Sequence, residues 1–309
     1  MPPSRKYSDP DVIAKIADLN LRSRRLVEGA ISGQHRSPFH GFNVEFAEYR
    51  DYNPGDDLRR LDWRVYARTD RHYIKQYEEE SNVRVTFVVD ASASMNYRGS
   101  GAVLNKFDYA ATLVVSLAML LIRQQDPVGL VLFDEKANTI LPPSATQSQL
   151  LVMSGLLEKC RPTRKTELGG LLLSLADQFR RRNLVVIVSD LFTDLDKLYD
   201  ALNRLRFSGH EVLVMQVLDR DELELPFEGP TLFHDIEGEE ELFAEPWAFR
   251  RSYQNAINDF LENVRKDCGA RGYDHVKFLT DVSLGASLSY FLHYREETGQ
   301  AIRQGTRSQ

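Results

Sequence analysis

Hydrophobic and polar positions fall into two regimes along this chain. From residue 83 onward, short β-branched runs alternate with longer amphipathic stretches. Val83–Val89 (VRVTFVV) reads as a strand ending at Asp90, and Val128–Phe133 (VGLVLF) as a second, with Thr139–Leu141 pairing beside it. Leu184–Ser189 (LVVIVS) reads as a strand ending at Asp190, Glu211–Leu218 as another and His275–Leu279 as the last. Helical periodicity falls between them, at Lys106–Gln125, Gln147–Lys159, Glu167–Arg181, Leu195–Phe207 (closed by Gly209), Trp247–Arg271 and Leu284–Glu296. Strands apolar on both faces and separated by helices predict an α/β fold: a doubly wound, mostly parallel sheet with helices on both faces.

Upstream the pattern is different. Residues 11–31 read as an amphipathic helix carrying Val12, Ile16, Leu19, Leu26 and Val27 after an Asp9-Pro10 entry signal. Residues 33–71 read as loop, with a turn at Asn53-Pro54-Gly55-Asp56 where Pro presets φ and Gly supplies freedom. The expected organisation is an N-terminal segment over 1–82 packed on a main domain over 83–298, and a polar tail over 299–309.

Composition narrows the function classes. Of 309 residues, 42% are hydrophobic, enough for one large core. The most apolar stretch, Ala110–Ile122, is interrupted by Thr112 and Ser116 and is too short for a membrane span; it reads as a buried helix. The first residues lack the apolar region of a secretory leader, so the expected location is the cytoplasm. Cys160 and Cys268 have no CxxC or His partner and read as two reduced thiols. The net charge of −6 is uneven: residues 219–245 hold eleven acids against one base, Arg220. That acidic insertion reads either as a second partner surface or, preferably, as a cover for the sheet edge. No basic stripe appears beyond Arg22, Arg24 and Arg25, which share a helix with acids, so nucleic acid is not an expected partner.

The candidate chemistry sits at strand ends. The first main-domain strand runs into Asp90-Ala91-Ser92-Ala93-Ser94, a later one into Asp190, and Thr166 precedes a helix. In open α/β sheets, ligands bind beyond the carboxyl ends of the strands where the strand order reverses. Asp90, Ser92, Ser94, Thr166 and Asp190 are all hard oxygen donors with no His or Cys among them. That set suits Mg2+, with Mn2+ or Ca2+ as alternatives, and argues against zinc or copper. Taken singly, each residue is ordinary loop or cap chemistry; the combination at strand edges favours a metal site.

Asp90-Ala-Ser-Ala-Ser94-Met95 resembles the first metal motif of von Willebrand factor A domains and integrin inserted domains. Thr166 in Arg164-Lys165-Thr166-Glu167-Leu168 resembles their threonine loop, which more often reads Gly-Gly-Thr, and Ser189-Asp190-Leu191 the third motif, where Gly often stands in place of Leu191. The resemblance implies a metal-ion-dependent adhesion site. Ser92, Ser94 and Thr166 would offer hydroxyls to the ion, Asp90 and Asp190 would hold it and its waters, and a partner carboxylate would complete the octahedron. Upstream, Tyr52, Pro54, Gly55, Asp56, Asp57, Arg59, Arg60, Asp62, Trp63 and Arg68 lie in a stretch resembling the hallmark of the prokaryotic domain-of-unknown-function family number fifty-eight. That resemblance spans roughly residues 20–220 and implies partnership with a MoxR-type AAA+ ATPase in protein maturation or remodelling. The hallmark's mixed charges around Trp63 read either as a partner-facing network or, preferably, as a clasp onto the main domain.

Rival readings fare worse. A magnesium phosphatase of the haloacid dehalogenase type needs a second Asp two residues after the strand-end Asp, and Ser92 stands there. Neither GxSxG nor GxxxxGK[ST] occurs, and Gly99-Ser100-Gly101 lacks the third glycine of a dinucleotide turn. The expectation is a non-enzymatic, metal-dependent protein-binding adaptor. The alternatives are a phosphatase-like hydrolase, or a structural protein whose metal only stabilises the fold.

Overall fold

The computed structural model describes residues 45–51, 73–78, 84–134, 137–162, 167–236, 240–288 and 290–291. The helix expected over 11–31, the hallmark residues from Tyr52 to Arg68, Thr166 and the tail over 299–309 lie outside the described residues.

The main sheet has six strands: β3 (Arg84–Asp90), β4 (Val128–Phe133), β5 (Ala137–Ser144), β6 (Asn183–Ser189), β7 (Glu211–Leu218) and β10 (Asp274–Leu279). Their spatial order is β10-β7-β6-β3-β4-β5. All neighbours run parallel except β5, which pairs antiparallel with β4 at the edge. The α/β, mostly parallel sheet expected from periodicity is therefore present. The companion strand expected at Thr139–Leu141 is longer, and carries Pro142 and Pro143 at the sheet edge, where a missing N–H costs least.

Period-two alternation feeds two cores. Val85, Phe87 and Val89 of β3 and Leu184, Val186 and Val188 of β6 point to one face; Val88, Val185 and Ile187 point to the other. On the first face lies α1 (Lys106–Arg123), with Met153 and Leu157 of α2 (Gln147–Lys159) and Leu284, Leu288 and Phe291 of the last helical stretch. On the second lie α3 (Leu168–Gln178), α4 (Leu195–Phe207) and α6 (Pro246–Ala270). Each fully buried Val or Leu contributes about 1.5–3 kcal/mol, so both faces are well covered. Gly209, at φ +82°, closes α4 as expected.

Three features depart from the sequence reading. The stretch over 33–71, read as loop, contains the strand β1 (Glu45–Asp51), which pairs antiparallel with β2 (Tyr73–Glu78). The acidic insertion is not featureless: α5 (Arg220–Glu224) opens it, and β8 (Thr231–His234) and β9 (Glu241–Ala244) form a hairpin within it. Dense charge and turn residues masked these short elements, whose existence depends on cross-strand pairing and capping rather than on an apolar stripe. A third departure is small: several helices end a residue or more inside their expected limits, as frayed ends do.

The doubly wound order sets the functional edge. From β3 the chain moves outward to β4 and β5, then returns to the opposite side of β3 as β6 and continues to β7 and β10. The direction reverses between β3 and β6, so the carboxyl ends of these two strands flank the crevice. Asp90 ends β3 and Asp190 follows directly on β6.

On the β7–β10 side, Gln216 Nε2 donates to the Asp190 carbonyl oxygen (3.0 Å), which leaves Gln216 Oε1 to accept from His275 Nε2 (3.0 Å). Burial, aided by Lys277 and Arg265, pushes the His275 pKa down from 6.5 to about 4. The folded protein therefore keeps this ring neutral where the unfolded chain protonates it. Stability from this group is full above about 6.5 and is lost as pH falls toward about 4, on the order of 1–2 kcal/mol. Urea unfolding at pH 7.5 and pH 5 should show a smaller acid loss for His275→Gln than for the natural chain; equal losses would count against this assignment.

Candidate metal centre at the switch point

The site is built from two strand ends and the turns they launch. Ala91 N–H donates to the Phe133 carbonyl (2.7 Å), carrying the sheet ladder one residue past β3. Beyond it, Ala93–Asn96 form a short 3-10 turn anchored by Met95, which is fully buried. This turn aims Ser92 and Ser94 back over the strand ends. Asp90 is held at both oxygens: Oδ1 accepts from Ser92 N–H (2.9 Å), and Oδ2 accepts from Ser189 Oγ (2.6 Å).

Ser94 Oγ donates to Asp190 Oδ2 at 2.8 Å, and Ser92 Oγ lies 3.0 Å from Ser94 Oγ. Four of the five expected site residues, Asp90, Ser92, Ser94 and Asp190, are thus brought into one hydrogen-bonded cluster. Thr166 lies outside the described residues; its neighbour Glu167 donates its N–H to the Asp134 carbonyl, just past the carboxyl end of β4 (3.1 Å).

The residue after Asp190 is strained. Leu191 has φ +64°, a region that favours glycine, and its side chain is fully buried in the second core. The backbone cost of roughly 1–2 kcal/mol is offset by burying a leucine.

Several participants were not legible as site residues. Lys106, the first residue of α1, is fully buried; its Nζ donates to Asp190 Oδ2 (2.7 Å) and forms an ion pair with Glu222. Nζ also lies 5.3 Å from the centre of the Phe192 ring. Glu222 belongs to a capping box: Asp219 accepts from the first turn of α5, and Glu222 Oε2 accepts from Asp219 N–H (2.7 Å). Asp219 Oδ2 accepts from Gly99 N–H (2.9 Å) and Thr280 Oγ1 (2.7 Å), and Asp221 Oδ2 accepts from Ser100 N–H (3.0 Å). A Cβ on Gly99 would lie 2.0 Å from Asp219 Oδ1, so glycine there serves the close approach of a carboxylate rather than a nucleotide. The D-x-x-E spacing directly after an apolar strand was the available signal for Asp219 and Glu222. Lys106 had none, since a lysine opening a helix is ordinarily solvated.

Electrostatics follow from burial. Asp90 and Asp190 are 0% and 1% exposed. Burial, and then the charge of Asp190, push the Asp90 pKa up to about 7, against the opposing hydrogen bonds from Ser189 and Ser92. Burial raises Glu222 as well, although the Lys106 charge opposes it. Burial alone would lower Lys106, yet Asp190 and Glu222 together hold it above its ordinary value. Asp190 and the largely buried Glu222 thus converge on one ammonium, two carboxylates to one cation, with the Asp90 carboxyl held beside Asp190.

That deficit and the donor spacing fit a small divalent cation. Ligand bonds of about 2.0–2.1 Å in an octahedron put neighbouring oxygens about 3 Å apart. The Ser92 Oγ to Ser94 Oγ and Ser94 Oγ to Asp190 Oδ2 separations, 3.0 and 2.8 Å, match two such edges. Among the described residues, no group of three or more His, Cys, Asp or Glu side chains is arranged to hold a metal, so the fit rests on hydroxyls together with carboxylates.

Residues 48–262 match the family described as "Protein of unknown function DUF58". Uncharacterized proteins of Mycobacterium bovis and Mycobacterium tuberculosis are each 27% identical over 300 residues, covering 96% of this chain and 93% of the relative. Among solved structures, the chain is similar to an aerotolerance-related membrane protein from Bacteroides fragilis (19% identity, 74% of this chain and 100% of that one, TM-score 0.44). It is also similar to a conserved hypothetical protein, BatB, from Bacteroides thetaiotaomicron (18%, 73% and 99%, TM-score 0.46). A third is an uncharacterized membrane spanning protein from Vibrio fischeri (14%, 67% and 95%, TM-score 0.26). The expectation of a cytoplasmic location is corrected here, because two of these similar structures come from proteins described as membrane proteins. Among the described residues no helix is long and apolar enough to cross a membrane, and that fact does not place the chain in the cytoplasm.

The two strand-end aspartates should respond oppositely to neutralisation. Asp90→Asn removes a charge that burial penalises while keeping the side chain's shape, and should raise the thermal midpoint in chelator. Asp190→Asn strips Lys106 of a buried partner and should lower stability by about 1–3 kcal/mol. Thermal melts of both variants check this; equal falls would show that burial does not penalise the Asp90 charge.

Proposed function

The chain belongs to the DUF58 family, and from that premise we propose that it is a divalent-metal-dependent protein-binding adaptor, not an enzyme. In this reading the main domain is of the von Willebrand factor A type, and the switch point is its metal-ion-dependent adhesion site. The observation that carries the reading is the cluster of Asp90, Ser92, Ser94 and Asp190 at adjacent parallel strand ends, with oxygens spaced as octahedral edges and carboxylates in excess of cations.

Ser92, Ser94 and Thr166 would hold Mg2+, or Mn2+ or Ca2+ in its place, through hydroxyl oxygens. Asp190 would hold the ion and its waters through Oδ2, and Asp90 would orient the hydroxyls and the waters. When bound, the ion supplies a concentrated positive charge and a coordination position that a partner's Asp or Glu side chain can fill. Ser94 reaches the surface while Ser92, Asp90 and Asp190 do not, so an incoming carboxylate meets a rigid site rather than a flexible loop. Buried first-turn packing of Met95 and the hydrogen-bonded strand ends keep that geometry fixed before the partner arrives.

Binding in place of catalysis is favoured by the donors themselves. Asp90 has both oxygens committed, to Ser92 and Ser189, and Ser92 stands where a phosphatase would need its second acid. The resemblance of the Tyr52–Arg68 hallmark supports a MoxR-type AAA+ ATPase as one partner, in maturation or remodelling of a client that offers an acidic side chain.

A pull-down with tagged protein tests this, run in Mg2+, in chelator, and with Asp90→Ala in Mg2+. The expected outcome is an AAA+ ATPase or client retained only by the natural chain in Mg2+. Identical partners in all three samples would refute a role for the metal face in binding.

A further inference from the structure

We propose that Lys106 is the resident counter-ion of the switch point: it keeps the metal face assembled when no divalent ion is bound, and it competes with that ion for Asp190. The inference rests on the metal-binding reading above and adds a residue to it.

Lys106 forms an ion pair with Asp190 at the end of β6 and with Glu222 of α5. Its side chain is 0% exposed, which lysine rarely is unless paired. Its ammonium touches Asp190 Oδ2, the same oxygen that accepts from Ser94. On its other side it meets Glu222, whose position is set independently by the α5 capping box and by Tyr253, whose hydroxyl donates to the Glu222 carbonyl (2.6 Å). The lysine is therefore clamped from two elements, and its chain is packed at the start of α1 beside the ring of Phe192. None of this is required for capping α1, which Asn105 does by accepting from Asp108 N–H (2.6 Å).

The charge balance explains why such a residue belongs there. Without an internal cation, the buried Asp190 and the largely buried Glu222 would face each other with nothing positive between them, an arrangement that a low-dielectric interior penalises. One ammonium offsets part of that and leaves the rest for a divalent ion. Lys106 cannot leave, because its stem is buried. It lowers the net negative charge seen by the ion and so weakens metal binding, in exchange for a fold that does not depend on the metal. Glu222 works the other way. It draws the ammonium from Asp190 and adds negative charge near the ion.

Two substitutions should therefore shift metal affinity in opposite directions. Mn2+ binding is followed by electron paramagnetic resonance of the free ion, and thermal midpoints are measured in chelator and in Mg2+. Lys106→Met should lower the midpoint in chelator, recover more of it in Mg2+ than the natural chain does, and bind Mn2+ about tenfold more tightly. Glu222→Gln, which keeps the lysine and its burial, should bind Mn2+ several-fold more weakly than the natural chain, and it tests the idea even if Lys106→Met does not fold. Affinities that fall in both variants, or change in neither, would overturn the counter-ion role while leaving the metal site standing. Absence of Mn2+ binding by the natural chain would overturn the metal reading and this inference together.

Discussion

Placing Asp90 and Asp190 side by side, at the ends of adjacent parallel strands and almost wholly out of water, is the constraint around which the rest of this molecule is arranged. Two buried carboxylates repel each other and lose hydration, so their surroundings must compensate. Hydrogen bonds from Ser92 and Ser189 hold Asp90, Ser94 and Phe192 N–H hold Asp190, and Lys106 supplies charge. The strained Leu191 backbone and the tight approach of Gly99 to Asp219 are both local costs of building this crevice. They are sustained by two large apolar cores that cover the sheet on either face.

The acidic insertion takes on a different character once it is folded. On paper it is a block of like charge that should be solvated. In the structure its opening acids are structural: Asp219 caps α5 and receives Gly99 and Thr280, Asp221 receives Ser100, and Glu222 reaches Lys106. These contacts lie at the carboxyl ends of the strands, around Gly99, Thr280 and Lys106. The remainder runs into the β8–β9 hairpin and α6, whose Tyr253 and Arg250 hydrogen-bond to the carbonyls of Glu222, Leu225 and Phe227. The insertion thus ties the strand-end cluster to the long helix, and rearranging one would be felt by the other.

Much of the fold and part of the site could be read directly from residue order. The alternation of Val-rich and helical segments determined an α/β sheet, because strands buried on both faces must be apolar throughout and the helices between them must be amphipathic. The Asp90-x-Ser92-x-Ser94 spacing and Asp190 were legible because chemistry in such sheets collects at the carboxyl strand ends. Only the tertiary structure decided which strand ends are neighbours: β6 returns beside β3, and that choice alone brings Asp190 within hydrogen-bonding distance of Ser94. It likewise decided that Lys106, 84 positions from Asp190, is its counter-ion. The physical reason is that local propensity reports on neighbours along the chain, whereas charge compensation in a buried crevice is settled by whichever side chains the packing of helices on the sheet brings within reach.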